Sequence, residues 1–220
     1  MNKLNQLILT FDFEQNFKNL DFYVSKSNEH VFDLIKNWPN HKEKFLNIIG
    51  DKFSGKSHLI NIFLEQNKGF KFATNDLNED ILKKIKLYEN IILEDLDISI
   101  NENLFYSLIN IVDSENKYLI ITSQISMVEI NFNLLDLKSR SKKFYLSKID
   151  NPDDELMFAL ILKNLSDRQI SIDKKLIDYI IKRIDRSYSK IFDFIYKIDE
   201  ISLKRKKPID FKIIKEVLGE

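Results

Sequence analysis

The chain has 220 residues, and 44% of them are hydrophobic, which is enough to build a real core. Basic and acidic residues balance at 34 each, whereas a protein whose main work is to hold nucleic-acid phosphates usually carries a basic surplus. The absence of cysteine excludes a disulfide framework and thiolate chemistry. Because no apolar run is as long as a membrane span and the N-terminus lacks a signal-peptide pattern, we expect a cytoplasmic protein without membrane contacts.

The irregular sequence of residues 1–22 gives way to a regular pattern of helices and strands. A first helix is predicted at 31–38, where Pro39 ends it. Strands are predicted at 45–49, 70–74, 90–93, 118–122 and 143–147. Helices are predicted between them at 58–64, 78–86 and 101–114. This alternation predicts a Rossmann-like α/β core of three layers, in which a parallel sheet carries helices on both faces.

The pattern changes after Asn151-Pro152, where strand signals stop. Asp153, Asp154 and Glu155 place three acids at the start of a helix, where its dipole stabilises negative charge. Three or four helices follow, at about 153–166, 173–184, 187–205 and 210–218. We therefore expect an N-terminal segment over 1–22, an α/β domain over 23–150 and a small all-α domain over 151–220.

The most informative stretch is GDKFSGKS at residues 50–57, which fits the phosphate-binding loop G-x-x-x-x-G-K-[ST]. A predicted strand before it and a predicted helix after it aim several backbone N–H groups and the helix dipole at one anion. In such a loop Lys56 reaches the β- and γ-phosphates of ATP, and the Ser57 hydroxyl binds Mg²⁺. The candidate nucleotide-binding residues of the loop are Gly50, Asp51, Lys52, Phe53, Ser54, Gly55, Lys56 and Ser57.

The interior of this loop differs from the usual pattern. Phe53 is bulky at a place where the backbone must approach phosphates, and Asp51 brings a negative charge that Lys52 offsets. We therefore expect a protein that binds ADP or ATP with weak or partner-dependent ATPase activity.

A pair of acids follows the predicted strand at 90–93. A nucleotide site needs a carboxylate at the end of a neighbouring strand to hold Mg²⁺ and to position water. In the usual pattern the first acid binds the metal and the second polarises water, which gives these roles to Glu94 and Asp95. The first acid is normally Asp, however, so the two roles could be exchanged here. A plain turn or helix-cap pair is the alternative interpretation.

Polar residues also end the predicted strand at 118–122. Thr122, Ser123 or Gln124 could contact the γ-phosphate or a water molecule there. Ordinary turn chemistry at a strand end is the alternative interpretation.

Together these motifs and the helical tail resemble the AAA+ ATPases of the DnaA initiator family, in particular the short DnaA-like regulators called Hda. The stretch 21–28 (DFYVSKSN) is similar to the family segment on the adenine side of the nucleotide, which implies contacts from Tyr23 and Val24. Residues 56–59 (KSHL) match the end of the family's phosphate loop and add His58 to the nucleotide-binding residues.

Two arginines take their expected roles from the same resemblance. The stretch 137–140 (LKSR) looks like the family segment whose arginine acts in trans as a finger on a neighbouring subunit's nucleotide, which implies this role for Arg140. The stretch 185–192 (DRSYSKIF) is similar to the lid segment whose arginine senses the γ-phosphate in cis, which implies this role for Arg186. A surface salt bridge is the alternative for either arginine.

The N-terminal segment carries one further motif. Residues 6–11 (QLILTF) resemble the peptide by which Hda regulators dock on the DNA sliding clamp. In that peptide a glutamine fills a polar niche and Leu and Phe fill an apolar pocket, which implies these roles for Gln6, Leu7, Leu9 and Phe11. A plain edge strand or a tail packed on the core is the alternative.

The resemblance implies a regulator of chromosomal replication initiation that promotes ATP hydrolysis by DnaA together with the sliding clamp. The implied partners are the DnaA initiator and the clamp, while self-association is left open. No direct sequence-specific DNA binding is expected, because the sequence ends soon after the lid without a helix-turn-helix domain of the DnaA type, and its net charge is zero. The alternatives are a nucleotide-switched adaptor or loader that recruits a replication partner, and an independent remodelling ATPase.

Overall fold

A computed structural model describes residues 22–205 and 208–220 of the chain. The predicted clamp-binding residues Gln6, Leu7, Leu9 and Phe11 therefore lie outside the described residues, and their role stays a prediction.

Five parallel strands form one sheet in the order β2-β3-β4-β1-β5. The strands are β1 (Phe45–Ile49), β2 (Gly69–Ala73), β3 (Asn90–Leu96), β4 (Tyr118–Ser123) and β5 (Tyr145–Lys148). All five lie within a few residues of their predicted positions, and the predicted parallel sheet is confirmed. The order places β1 between β4 and β5, so the loop after β1 emerges beside the end of β4 at the carboxyl edge of the sheet.

Helices connect the strands, and asparagine side chains begin two of them. The helices of this part are α1 (Glu29–Asn37), α2 (Lys56–Gln66), α3 (Glu79–Lys84), α4 (Glu102–Ser114) and α5 (Leu135–Ser141). The Asn78 side chain accepts hydrogen bonds from two backbone N–H groups at the start of α3, and Asn101 does the same for α4. Short 3₁₀ turns cover Trp38–Asn40, Thr74–Asp76 and Ile85–Leu87. The sequence had predicted no helix at α5.

Alternate residues of the central strands point into two separate cores. Ile91 and Leu93 of β3 belong to one apolar cluster together with residues of α4, whereas Ile92 belongs to another together with residues of α1 and α2. Buried parallel strands read as continuous apolar runs because both of their faces are covered. The sheet therefore carries helices on both faces, as predicted.

Four helices follow the sheet and form the predicted all-α domain, here called the lid. They are α6 (Asp154–Asp167), α7 (Lys174–Ile181), α8 (Tyr188–Arg205) and α9 (Phe211–Leu218). Asp153, Asp173 and Asp210 cap α6, α7 and α9 with their side chains. The lid has its own apolar cluster, but Leu156 and Tyr188 pack in the cluster of the α1–α2 face. These two side chains join the lid to the α/β core.

None of the helices described in the structure is long and apolar enough to cross a membrane.

We expect Asn47→Ala to lower the free energy of unfolding by about 1–3 kcal/mol, because Asn47 is fully buried in β1 and links it to the chain after β4. Its Nδ2 donates to Ser123 Oγ at 2.8 Å, and its Oδ1 accepts from the Met127 N–H at 3.0 Å. Urea denaturation measures the change. The exposed Asn75 is the control, and Asn75→Ala should stay within about 0.5 kcal/mol of the unsubstituted protein. Equal stability of both variants would contradict the prediction.

Candidate nucleotide-binding site

The phosphate loop runs from the end of β1 to the start of α2, and both of its glycines lie where a side chain would meet close neighbours. Gly55 has a φ of +91°, and a Cβ there would lie 3.0 Å from a ring carbon of Phe22. A Cβ on Gly50 would lie 2.5 Å from Ser54 Oγ. A side chain at position 55 would therefore be strained, and one at position 50 would force the Ser54 hydroxyl to move.

Lys56 is buried at the first position of α2, and its ammonium group is held by the loop itself. Its Nζ donates to the carbonyl oxygens of Gly50 at 2.7 Å and Asp51 at 2.8 Å. Burial lowers the pKa of Lys56, while the carboxylates of Asp95, Asp51 and Glu94 raise it. An ammonium has three N–H donors, so one remains for a phosphate oxygen.

The loop also offers donors that suit an anion. Among the residues that the structure describes, no side chain caps the start of α2, so its first N–H groups are available at the positive end of the helix dipole. Ser54 Oγ is buried and has no hydrogen-bond partner among the described residues. A buried hydroxyl without a partner is costly, and a phosphate oxygen would satisfy it. These features fit a nucleotide phosphate.

Asp95 reaches the site because β3 is irregular there. The register between β3 and β4 shifts between Leu93 and Leu96, and Asp95 has a φ of +55°. The Thr122 hydroxyl oxygen accepts a hydrogen bond from the Asp95 N–H at 3.0 Å, and the Thr74 hydroxyl donates to the Asp95 carbonyl oxygen at 2.9 Å. A bulge of this kind re-aims a side chain, here into the cavity beside Lys56.

Glu94 lies beside the cavity rather than in its lining. Its Oε2 is 3.2 Å from the Nζ of Lys71, and its Oε1 is buried without a partner among the residues described. No group of three or more His, Cys, Asp or Glu residues in the described ranges could hold a metal by itself. A magnesium ion in a phosphate loop keeps several waters and phosphate oxygens as ligands, so Ser57 and one acid are sufficient protein ligands. The donor set fits Mg²⁺, with Ser57 and either Glu94 or Asp95 as the residues that would hold it.

Of the three polar residues at the end of β4, only Gln124 lines the cavity. Thr122 is fully buried and accepts from the Asp95 N–H, while Ser123 Oγ accepts from Asn47. Gln124 is thus the one residue of this group placed to contact a phosphate or water. The sequence alone had left this choice open.

The cavity has a volume of about 560 Å³ and lies between the loop, residues 22–28 and the lid. Residues of all three parts line it: Phe22, Tyr23, Asn28, Lys52, Phe53, Ser54, Gly55, Lys56, Ser57, His58, Asp95, Gln124, Leu156, Ala159, Leu160, Lys163, Asn164, Asp167, Tyr188 and Phe192. The lid residues of this wall were not among those predicted from the sequence. In the sequence, the pattern that could have identified them is the helical spacing of positions 156, 159, 160, 163 and 167, which places these residues on one face of α6.

Residues 22–28 form a loop that is tied to the lid. The Tyr23 hydroxyl donates to Glu155 at 2.5 Å, and this hydrogen bond raises the pKa of Tyr23. The Ser27 carbonyl accepts from the Asp150 N–H at 3.1 Å. Tyr23 lines the cavity as the resemblance implied, whereas Val24 is exposed outside the lining. This loop is therefore one wall of the cavity and also a contact between core and lid.

Phe22 and His58 pack together on the other side of the phosphate loop. The Phe22 ring stacks on Phe32 with centroids 5.6 Å apart and meets the His58 ring edge-on at 5.2 Å. His58 is buried and lines the cavity next to Ser57. Both rings thus support the turn that begins α2.

Phe53 does not fill the loop interior but contacts the lid. Its ring stacks on Phe192 of α8 with centroids 4.6 Å apart, and the Lys52 ammonium lies 5.0 Å from the Phe53 centroid. Its φ of +68° is a conformation that costs a non-glycine residue about 1–2 kcal/mol. Phe53 therefore links the phosphate loop to the lid, a role that its sequence context does not predict.

Neither of the two predicted arginines lines the cavity. Arg140 lies on α5, pairs with Asp113 and has the Tyr106 ring 6.0 Å away. Arg186 precedes α8, is exposed and pairs with Asp154 at 2.6 Å. Within the part of the lid that the structure describes, Lys163 is the cation that lines the cavity.

The lid and the whole chain resemble known proteins. Residues 153–218 match the family described as "Hda, lid domain". An uncharacterized protein of Haemophilus influenzae is 23% identical over 217 residues, which cover 90% of this chain and 92% of that protein. The chromosomal replication initiator protein DnaA of Helicobacter hepaticus is 24% identical over 223 residues, 90% of this chain. The chain spans 49% of that DnaA.

Solved structures share the fold. Domain III of the replication initiation protein DnaA from Thermotoga maritima has a TM-score of 0.72 and 17% identity, and the match covers 92% of this chain and 95% of that one. AMPPCP-bound DnaA from Aquifex aeolicus has a TM-score of 0.63 and 19% identity, covering 89% of this chain and 70% of that one. The fold and its phosphate loop are those of an AAA+ protein. Within that class, the lid match and the DnaA relatives support an Hda/DnaA-like AAA+ protein.

We expect Lys56→Ala to weaken ADP and ATP binding roughly ten- to hundredfold, since a hydrogen bond to a charged group contributes about 1.5–3 kcal/mol. Isothermal titration calorimetry with and without Mg²⁺ measures the affinities. Lys68→Ala, which removes an exposed lysine beyond α2, is the control and should bind like the unsubstituted protein. An unchanged affinity in Lys56→Ala would contradict the assignment of the site.

Proposed function

We propose that this chain is a nucleotide-binding regulator of replication initiation that acts with the sliding clamp and promotes hydrolysis of the ATP held by DnaA. The lid match and the DnaA relatives support a DnaA-related replication protein. The buried Lys56, the uncapped start of α2 and the AMPPCP-bound DnaA neighbour support adenine nucleotide binding with Mg²⁺. The placement of Arg140 supports the role in trans that we propose for it.

The observation that carries the proposal is that Arg140 lies outside the chain's own nucleotide cavity. Its helix α5 packs beside α4, where the guanidinium is about a quarter exposed and pairs with Asp113. An arginine in this position cannot serve the nucleotide bound to Lys56. It can serve a nucleotide on another protein that docks on this face, and we assign that nucleotide to DnaA.

The chemistry of phosphoryl transfer explains why one arginine is sufficient. Negative charge is spread over the equatorial oxygens of the transferred phosphoryl group, and a guanidinium placed there stabilises the transition state. Arg140 would provide this group in trans, while DnaA provides the phosphate loop, the metal and the attacking water. Lys56 and the lid then hold the regulator's own nucleotide.

We expect Arg140→Ala to abolish most of the stimulated hydrolysis by DnaA, a loss of about 10³-fold or more for an arginine finger. The measurement is ATP turnover by DnaA in the presence of clamp-loaded DNA and this protein. Arg183→Ala is a matched control, because Arg183 also pairs with a carboxylate, that of Glu220, and stacks on a tyrosine ring, that of Tyr179. Arg183→Ala should retain full stimulation.

A nucleotide-switched adaptor that recruits a replication partner is the second candidate function. The stack of Phe53 on Phe192 favours it, because it lets the lid respond to the phosphate loop. An adaptor would bind its partner in an ATP- or ADP-dependent manner and leave the turnover of DnaA unchanged. If the unsubstituted protein gives no stimulation with clamp and DNA, the adaptor replaces the proposed regulator.

We also expect the clamp contact to depend on the N-terminal motif. Gln6→Ala, or Leu9→Ala with Phe11→Ala, should weaken binding to the sliding clamp at least tenfold, since truncation of anchor residues typically costs about 2 kcal/mol or more. Surface plasmon resonance on immobilised clamp measures this affinity. Asn2→Ala is the control on the same segment. Clamp binding that survives removal of residues 1–11 would contradict the prediction.

A further inference from the structure

A second groove lies at the amino-terminal edge of the sheet, opposite the nucleotide cavity. It has a volume of about 570 Å³ and is formed by the chain before β1, the end of α4 and the turn before β5. Residues from all three segments line it: Lys42, Glu43, Lys44, Phe45, Asp113, Lys142, Lys143, Phe144 and Tyr145. The proposed function leaves this groove without a role.

The groove concentrates positive charge in a chain whose total charge is balanced. Four lysines face two acids there, and the carboxylate of Asp113 is already paired with Arg140 and with Lys143 at 3.4 Å. Burial raises the pKa of Asp113, but the hydrogen bonds and charges of Arg140 and Lys143 outweigh this effect and lower the pKa overall. Lys42 and Lys142 are exposed and form no ion pair with any residue described. The groove therefore presents cations to an anionic partner.

An aromatic surface accompanies these cations. Tyr145 lies at the start of β5, an edge strand, and is 44% exposed. Its ring meets the His41 ring edge-on at 5.2 Å, and His41 stacks on the buried Trp38 at 4.9 Å. This row of rings fixes Tyr145 against the core while one side of it stays open to solvent.

We propose that this groove binds single-stranded nucleic acid without sequence preference. A groove of lysines that follows the backbone, with an exposed ring on which a base stacks, is the arrangement that suits such a ligand. A duplex hides the faces of its bases, and an acidic peptide has no base to stack, so neither uses Tyr145. The proposal is independent of the nucleotide cavity, while the groove adjoins Arg140 through the ion pair of that arginine with Asp113.

Fluorescence anisotropy with a labelled oligothymidylate of about 12 nucleotides tests the proposal on the full chain without ATP or DnaA. We expect Lys42→Gln with Lys142→Gln to lower the affinity at least tenfold at about 50 mM salt. The slope of log K against log salt should become shallower by about 1.4, because two phosphate contacts are lost. Tyr145→Ala should lower the affinity about tenfold with no change of slope.

Matched controls lie elsewhere on the surface. Lys84→Gln with Lys197→Gln removes two exposed lysines of α3 and α8, and Tyr196→Ala removes a tyrosine that is 57% exposed. Both should bind the oligonucleotide like the unsubstituted chain, and circular dichroism and ADP affinity check that every variant is folded. Three results would overturn the proposal: no binding by the unsubstituted chain, equal losses in the controls, or equally tight binding of polyglutamate.

Discussion

The contact between the Lys56 ammonium and the carbonyl oxygens of Gly50 and Asp51 is the interaction on which the site depends. A buried ammonium is costly unless it is hydrogen-bonded, and these two carbonyls come from the first residues after β1. The loop must therefore curl over the side chain that begins α2. Gly55 permits that curl, and the uncapped N–H groups of α2 then converge on the same point. One charge thus organises the backbone that binds phosphate.

The walls of the cavity come from parts of the chain that are distant in sequence, and hydrogen bonds hold them together. Tyr23 bonds to Glu155, Ser27 to the backbone of Asp150, and the Tyr188 hydroxyl donates to the Asp150 carbonyl at 3.1 Å. Burial of the Tyr188 phenol raises its pKa, so the group stays neutral and can donate. A nucleotide between these walls would contact the core and the lid at once. Binding of a nucleotide there would therefore be coupled to the position of the lid.

The sequence was sufficient to predict the strands, the phosphate loop and the lid helices, because each has a strong local pattern. Ile91, Ile92 and Leu93 predict a buried strand without further context, and the Asp153 cap marks the start of α6. The details of the site depended on tertiary contacts that no local pattern contains. The bulge at Asp95 depends on the hydrogen bond to Thr122. Gln124 lines the cavity, whereas its neighbours Thr122 and Ser123 are buried and hydrogen-bonded to other residues.

The short helix α5 and the surroundings of Arg140 and Arg186 also depend on tertiary contacts that the local sequence does not contain. The LDLKSRS sequence of α5 has no side-chain cap from any described residue and buries only two of its own residues, so its helical form rests on packing beside α4. Arg140 and Arg186 were chosen by resemblance, and their surroundings could not be inferred from it. The trans role of Arg140 and the cis role of Arg186 stay predictions, and the position of Arg186 beside Asp154 gives the latter no support from geometry.

The strained Phe53 has a consequence for how such a protein can change over evolutionary time. The stack on Phe192 contributes about 0.5–1.5 kcal/mol, which is comparable to the cost of a left-handed conformation at a residue other than glycine. Loss of the ring at 192 would leave that cost without an offset, whereas glycine at 53 would remove the need for the ring. The two positions should therefore covary among descendants of this sequence, with aromatic pairs in some lineages and glycine opposite an unconstrained residue in others.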